Sequence, residues 1–551
     1  MKKIRIGILL NTYHIPLWEH KLLQELIASK YASINLIVLN NNKVRKKTLI
    51  QKMITSWQLI SYFLYIKLDT KLFSVKRNAF EIIDTNELLS SVNTLKVKTK
   101  STKFSDRFYD KDIELIKKEN LDILVRFGFG ILRGDILKVA KYGVWSYHHG
   151  DNLVNRGGPA GFWEVIENVP VTGSILQILT EDLDAGTVLS RSYSKTDKIS
   201  IIRNKNNYYW KSASLLPRKI RELYELGEEA FFKKVDEENI YPSFYSQRLY
   251  SKRNFGNFNM LILFVKHWFR ILKNKFLKKF FLEQWTLLFT MKDGVSSSFW
   301  KFKKIIPPKD RFYADPFLVA KNNKYYVFLE EYIYTKGIGH ISVIEMNENG
   351  EYSKPIKVLE HKKHLSYPHI IEDNNEYFMI PENRGNKSVD LYKCIDFPYK
   401  WEFHLNIMKD IEAVDATVFV YNNKYWLFCN IMENGGASTY DELYLFHADS
   451  LVTNHWTPHP LNPIVSDVRK ARPAGNIFVH KGKIIRPAQN CSEHYGYGMN
   501  MNEILILNEK EYKETSIESI TPDWDKNAIS THTFNHVDGL TFIDAKYRRY
   551  R

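Results

Sequence analysis

A chain of 551 residues is too long for one hydrophobic core, and at ~150 residues per domain it divides into two to four. Its 44% apolar, 14% aromatic and 26% charged residues are a folding composition, which excludes a disordered chain. The formal charge of +17, from 79 Lys and Arg against 62 Asp and Glu, favours anionic partners, but without RNA-recognition or zinc-finger spacing nucleic acid is not expected among them.

The opening MKKIRIGILLNTYH is basic but passes directly into a strand pattern, leaving no signal-peptide core, and no run approaches the ~20 apolar residues of a membrane span. KIRIGILLN and INLIVLN are apolar runs typical of buried parallel strands, separated by the helical spacing of PLWEHKLLQELIASK. Further on, YDKDIELIKKEN predicts a helix, LDILVRFGFG a strand, DILKVAKY a helix and GVWSYHH a strand, and SASLLPRKIRELYELGEEAFFKKV predicts a closing helix. This alternation predicts a doubly wound α/β domain over residues 1–250, with ligands beyond the carboxyl ends of its strands.

Residues 252–282 change character, with eight Lys and Arg, no acid, and many Leu, Ile, Phe and Trp. Lys266, Arg270 and Lys273 fall at helical spacing with apolar residues between them, the pattern of a helix lying in a membrane interface. The alternative is a connecting helix packed between domains with a solvated basic face, and residues 251–299 are read as a basic amphipathic linker. Cys394, Cys429 and Cys491 are too few and too scattered for a disulfide framework or a thiolate metal site, so the expected location is the cytoplasm, with peripheral contact at the inner membrane face.

From about residue 310 a strand–turn–strand repeat emerges, beginning at Asp315, Tyr367, Asp415 and Arg472, with a last copy in NHVDGLTFIDAKYR. Three copies share an Asn-Asn-Lys or Asn-Asn-Glu turn, because Asn tolerates the positive φ of tight hairpins. Spacings near 50 residues predict an all-β five-bladed propeller over 300–551; a β-sandwich explains the strands but not the repetition. Polar residues at repeat starts (Asp315, Tyr367 with His369, Asp415, Arg472) and Glu330, Glu382, Arg486 and Glu493 in or after the second strands then ring one pocket suited to a sugar. Capping of the inner strands by Asp315 and Asp415 is the alternative.

In GVWSYHHGDNLVNRGG the period of two places Ser146 and His148 on one strand face and His149 on the other. Adjacent histidines on opposite faces rarely bind one ion, so no metal is expected at His148, His149 and Asp151; His149 reads as a core histidine and Asp151 as a turn cap.

His148, Arg156-Gly157, Thr172-Gly173 and Leu183-Asp184-Ala185-Gly186 follow in an order that resembles the formyltransferase family, which includes methionyl-tRNA and sugar N-formyltransferases. The likeness is good over residues 100–200 and implies His148 as oxyanion stabiliser, Asp184 as its tuner or proton acceptor, and Arg156 near the substrate. It also implies 10-formyltetrahydrofolate along Phe127, Gly128, Phe129, Gly130, Ile131 and Leu132. Ser146 stands where the family carries Asn, and loss of one oxyanion donor typically costs ~10²–10³ in rate.

FYADPFLV, HLSYPHI, MIPEN and VDATVFV resemble the propeller domain of plant glucosamine inositolphosphorylceramide transferases, itself similar to five-bladed glycoside hydrolases. That likeness implies Asp315 as general base and Glu382 or Asp415 as acid. Together the two resemblances imply a formyltransferase acting on the amine of a nucleotide- or lipid-linked amino sugar in surface-polysaccharide assembly. A glycan-binding or glycan-processing propeller with an altered formyltransferase-like domain is the alternative, and a non-catalytic assembly factor a third.

Overall fold

The computed structural model describes residues 2–42, 57–73, 75–102, 105–154, 157–182, 186–240, 256–292 and 294–551. The chain forms two compact units, Met1–Arg270 with Glu433–Ala437, and Ile271–Met432 with Ser438–Arg551.

The first unit is built on a seven-stranded sheet in the order Thr187–Lys195, Val171–Ile178, Val144–His148, Ile123–Arg126, Ile4–Leu10, Ala32–Asn40 and Asn93–Val97. The five strands from Val144–His148 onward pair in parallel; the inner strands bury their apolar runs, while the edge strand Asn93–Val97 buries only Val97. Val171–Ile178 and Thr187–Lys195 pair antiparallel at one side. Helix Leu17–Ala28 buries Trp18, Leu22, Leu23 and Leu26, and helix Asp110–Lys118 buries Ile113 and Ile116. The second carries acids in its first turn and lysines in its last, matching the helix dipole.

Two helical expectations are corrected. DILKVAKY supplies only a short 3₁₀ turn at Asp135–Lys138. The closing helix is two, Leu215–Leu226 and Glu228–Glu238, because Gly227 takes a φ of 78° between them.

The expected linker 251–299 is also structured differently. Asn257–Phe280 is one helix, and Phe281–Met291 is already a strand of the second unit. Its first residues, 251–255, lie outside the described residues.

The second unit holds five antiparallel sheets, numbered I to V here. Sheet I comprises Arg311–Lys321, Lys324–Ile333, Ile338–Asn347 and Ile356–Leu359. Sheet II comprises Ser366–Asp373, Glu376–Glu382, Ser388–Asp396 and Lys400–Lys409. Sheet III comprises Ala413–Tyr421, Lys424–Ile431, Leu443–Ala448 and Thr457–Pro458, and sheet IV comprises Phe478–His480, Lys483–Asn490, Gly498–Leu507 and Tyr512–Ile520. Sheet V joins both ends of the unit: Phe281–Met291 pairs with Leu540–Tyr550 along eleven residues from Phe281↔Tyr550 to Met291↔Leu540.

The Asn pairs turn as their composition dictates. Asn322 and Asn323, Asn374 and Asn375, and Asn422 and Asn423 all have φ between 50° and 61°, the two consecutive positive values of a type I′ hairpin. Lys481-Gly482 and Asp538-Gly539 make the same turn in sheets IV and V.

Candidate functional site

In the first unit Ser146 sits at the centre of its strand, opposite Gln177 on one side and Arg126 on the other. Its buried hydroxyl lies 3.2 Å from Arg126 Nη1, which donates to it, and it donates to the Tyr147 carbonyl at 3.3 Å. His148 follows at the strand end, half-buried, with its Nε2 close to Gly150. Asp184 and Arg156 lie outside the described residues, so the expected meeting of His148 with Asp184 falls there too.

His149 is the core histidine its strand phase indicates. Its ring stacks on Tyr209 at 3.7 Å and meets Trp18 edge-on at 5.4 Å, and burial pushes its pKa down to about 3. Asp151 accepts from the Leu153 amide at 3.0 Å as a turn cap.

The segment expected to cradle folate is committed to the unit's own core. Phe129 and Leu132, expected to face a cofactor, are instead buried, with the Phe129 ring against Phe108 at 5.2 Å. The Phe129 amide donates to Asn11 Oδ1 at 2.9 Å and the Gly130 amide to Asp106 Oδ2 at 2.5 Å. Phe127 packs beside Trp18 at 5.8 Å, Ile131 pairs with Ser105, and a Cβ on Gly128 would lie 2.5 Å from the Asn11 nitrogen. The Phe129 and Gly130 amides are thus engaged within the unit's own packing, while Phe127, Gly130 and Ile131 stay half-buried.

The second unit brings its repeat-start residues together. In sheets I, II and III the first strand carries a bulge, between Ala314 and Phe317, Ser366 and His369, and Val414 and Thr417. Asp315, Tyr367 and Asp415 occupy the first bulged position of each, with φ of 51°, 45° and 51°. A left-handed backbone is unusual for a tyrosine, and such bulges re-aim a side chain. Tyr367 is held there by hydroxyl contacts to Thr417 Oγ1 at 2.8 Å and from the Gly475 amide at 2.8 Å, while its own amide donates to Asp315 Oδ2 at 3.2 Å. Residues of sheets I, II and III thereby converge with the loop before sheet IV.

Arg472 is the centre of the cluster. Its Nε donates to Asp415 Oδ2 at 2.5 Å, and its Nη2 donates to Asp415 Oδ1 and to Glu382 Oε2, each at 3.2 Å. Gln489 Nε2 adds a further donor to Asp415 at 2.8 Å. The guanidinium lies over the Tyr495 ring at 4.9 Å and near that of Tyr440 at 5.5 Å. Asp415 is almost fully buried, whereas Glu382 keeps 11% of its side-chain surface exposed.

Two carboxylates facing one guanidinium carry one negative charge too many, and a single proton relieves the excess. Burial, with the neighbouring Glu382, accordingly pushes Asp415 up to about 8 despite the pull of Arg472. Burial also raises Glu330 well above the usual carboxylate range, helped by the charges of Asp315, Glu382, Asp544 and Asp415. Glu330 and Glu382 occupy equivalent positions, paired with Ala314 and Ser366 immediately before their bulges.

Asp315 accepts from Thr533 Oγ1 at 2.9 Å, and its amide donates to Asp544 Oδ2 at 3.0 Å. His532 places Nδ1 2.7 Å from Asp544 Oδ2 and Nε2 3.7 Å from Asp315 Oδ1, with its ring stacked on Trp285 at 4.0 Å. Burial pushes Asp315 up to about 6, reinforced by Asp544 and Asp415 and opposed by His532. For His532 burial opposes the charge, but Asp544 and Asp315 outweigh it and raise the imidazole above its ordinary value. These three residues bring ligand-type atoms within 4.8 Å of one another, yet each is engaged by the hydrogen bonds just described.

Glu382, Asp415 and Arg472 are in direct contact, and Asp315 is tied to Tyr367 and Thr533 beside them. Arg486 is not among them: it is buried against Glu514, at 2.8 and 2.9 Å, on the third and fourth strands' side of sheet IV. His369 is a strut, with Nδ1 2.9 Å from Asn476 Oδ1 and Nε2 accepting from the Val418 amide at 2.9 Å, and burial lowers it to about 4. His532, Asp544, Gln489 and Tyr495 escaped the sequence reading. A signal for His532 existed: it stands two residues before Phe534, as Asp315 stands two before Phe317.

A family model described as "Glucosamine inositolphosphorylceramide transferase 1, N-terminal" matches residues 304–547. Glucosamine inositolphosphorylceramide transferase 1 of Arabidopsis thaliana is 30% identical over 209 residues, which is 37% of this chain and 27% of that protein. Its counterpart in Oryza sativa subsp. japonica is 29% identical over 232 residues, 41% of this chain and 31% of that one. The chain therefore spans less than a third of the length of these curated relatives.

Methionyl-tRNA formyltransferase of Prochlorococcus marinus is 36% identical over only 97 residues, 17% of this chain and 28% of that protein. Among solved structures, a family 117 glycoside hydrolase of Zobellia galactanivorans is similar at 12% identity over 48% of this chain and 90% of that one, with a TM-score of 0.32, too low to carry an argument. These matches overturn the expectation of an amino-sugar formyltransferase: the longer similarities are to proteins named for a different transfer, and the formyltransferase likeness is short and partial.

Proposed function

We propose that the chain is an enzyme acting on a glycan-bearing substrate, that sheets I to V are the blades of a five-bladed propeller, and that the cluster around Arg472 holds a sugar of that substrate. The observation that carries this reading is the clasp of Arg472 by Asp415 and Glu382, carboxylates from two different sheets meeting one guanidinium. A sugar offers hydroxyls that both donate and accept, and carboxylates flanked by an arginine and aromatic rings complement them.

Three features support a chemical role beside a binding one. Burial and Glu382 push Asp415 up to about 8, the direction that suits a general acid. Asp315, pushed only to about 6, is ionised there and suits a base. His532, braced by Asp544, sets the charge beside Asp315 and acts as a positioning residue. The names of the plant relatives direct the chemistry toward sugar transfer rather than hydrolysis.

The test is transfer in vitro by the full chain, with inositolphosphorylceramide in mixed micelles as acceptor and a nucleotide-activated glucosamine as donor, read by mass spectrometry. The expected result is an acceptor heavier by one glucosamine, with the rate lowered ~10²-fold or more in Asp415→Asn. An Asp415→Asn chain as active as the parent would place the chemistry elsewhere.

A further inference from the structure

Helix Asn257–Phe280 is apolar on two opposite sides. One stripe, Met260, Phe264 and His267, is buried: Phe264 stacks on Tyr65 at 3.8 Å, and His267 Nε2 lies 3.1 Å from the Ile199 carbonyl. The other stripe, Phe258, Leu261, Val265, Phe269, Leu272, Phe276 and Phe280, repeats at three- and four-residue steps and is exposed, with Phe258 at 74% and Phe269 at 68%. It runs about 33 Å along the helix at 1.5 Å per residue.

A second helix, Ile60–Leu72, lies beside the first and also exposes apolar side chains, with the Ser61 amide donating to Asn257 Oδ1 at 3.1 Å and Asn257 Nδ2 to the Trp57 carbonyl at 2.8 Å. It too buries one face, through Tyr65 and Asp69, and exposes Phe63, Leu64, Leu68 and Leu72, with Trp57 exposed just before it. Each helix thus exposes a run of apolar side chains, unlike the singly scattered apolar residues of an ordinary surface.

Charge identifies what covers them. Asn257–Phe280 carries Lys266, Lys273, Lys275, Lys278 and Lys279 and no acid, with Arg270 turned inward onto the Val165 carbonyl, and Lys67 and Lys71 are exposed on the second helix. The sole acid of the pair, Asp69, is turned inward, where it accepts from the Ile202 amide at 2.8 Å and from Ser200 Oγ at 3.1 Å. A second copy of this chain would bring like charges together, whereas an anionic bilayer receives apolar side chains and lysines at once. Neither helix is long and apolar enough to cross a membrane. We infer that Trp57–Leu72 and Asn257–Phe280 form a two-helix surface that seats the protein on an anionic lipid bilayer, lying in its interface. This does not depend on the chemistry assigned to the Arg472 cluster.

The experiment is co-sedimentation of the full chain with phosphatidylcholine vesicles, with and without phosphatidylglycerol. The parent is expected to pellet with the anionic vesicles and to be released by high salt. The paired change Val265→Ser with Phe269→Ser, on exposed positions, should weaken binding at least ~10-fold, and Phe63→Ser with Leu64→Ser likewise. Lys266→Gln with Lys273→Gln should reduce anionic binding and its salt dependence while leaving the fold, read by circular dichroism, unchanged. A parent that stays in the supernatant overturns the inference. So does vesicle binding unchanged in all three variants, or a self-association that Phe269→Ser abolishes in the absence of any vesicle binding.

Discussion

The two units treat a histidine beside polar residues in opposite ways. In the α/β unit His149 is enclosed by Trp18, Tyr147 and Tyr209, neutral, with no hydrogen-bond partner among the described residues for either ring nitrogen. In the β unit His532 is buried more completely and lies between Asp544 and Asp315, which raise it above its ordinary value. Burial alone therefore says nothing about chemistry. What separates a packing histidine from a working one is whether a second ionisable group is buried with it.

The largest effect should come from breaking the charge clasp. Arg472→Met leaves Asp415 and Glu382 facing each other without a cation, and removal of one partner of a buried pair costs ~3–5 kcal/mol. Urea unfolding should show a loss of that size, and a loss below ~1 kcal/mol would mean that the carboxylates are solvated.

The next pair of predictions sets the units against each other in pH. Asp315 holds its proton to about 6 when folded and to 3.8 when unfolded. Between those values the folded chain binds a proton that the unfolded chain has released, so its contribution falls as pH rises, by up to ~3 kcal/mol. His149 runs the other way: its folded value of about 3 lies below 6.5, so its contribution falls as pH drops through that window. Asp315→Asn should flatten the decline in stability between about pH 4 and 6, and His149→Phe the loss below about pH 6. Identical melting-temperature profiles in parent and variants would contradict both assignments.

Smaller effects sharpen the contrast further. Tyr367→Phe strands the Gly475 amide and Thr417, at ~1–3 kcal/mol. His149→Phe at neutral pH replaces an imidazole without partners by a ring of similar size and should cost under ~1.5 kcal/mol.

The same contrast explains how far the sequence could be read. The β unit was legible because its signals repeat: Asn-Asn turns require a particular backbone, and Asp315, Tyr367 and Asp415 recur at one position of it. Ile4–Leu10, Ala32–Asn40 and Ile123–Arg126 were legible from their apolar runs, whereas the edge strand Asn93–Val97 was not. What remained hidden depended on pairing across distance. His532 and Asp544 meet only because Ala528–Ser530, Phe534–Val537 and Leu540–Tyr550 share sheet V, and no local pattern announces that. The formyltransferase likeness misled about function because it is short, 17% of the chain, whereas the longer matches are to proteins named for a different transfer. Helix Ile60–Leu72 was not read from the sequence at all, and which of its apolar residues stay exposed depends on the neighbours that cover it.

The claim at the centre is that a sugar sits at the Arg472 cluster. Saturation-transfer NMR of the full chain with glucosamine tests it directly: transfer to the sugar protons is predicted for the parent and for His148→Ala, and its loss for Arg472→Met and Glu382→Gln. Transfer that survives both cluster variants and disappears in His148→Ala would contradict the account.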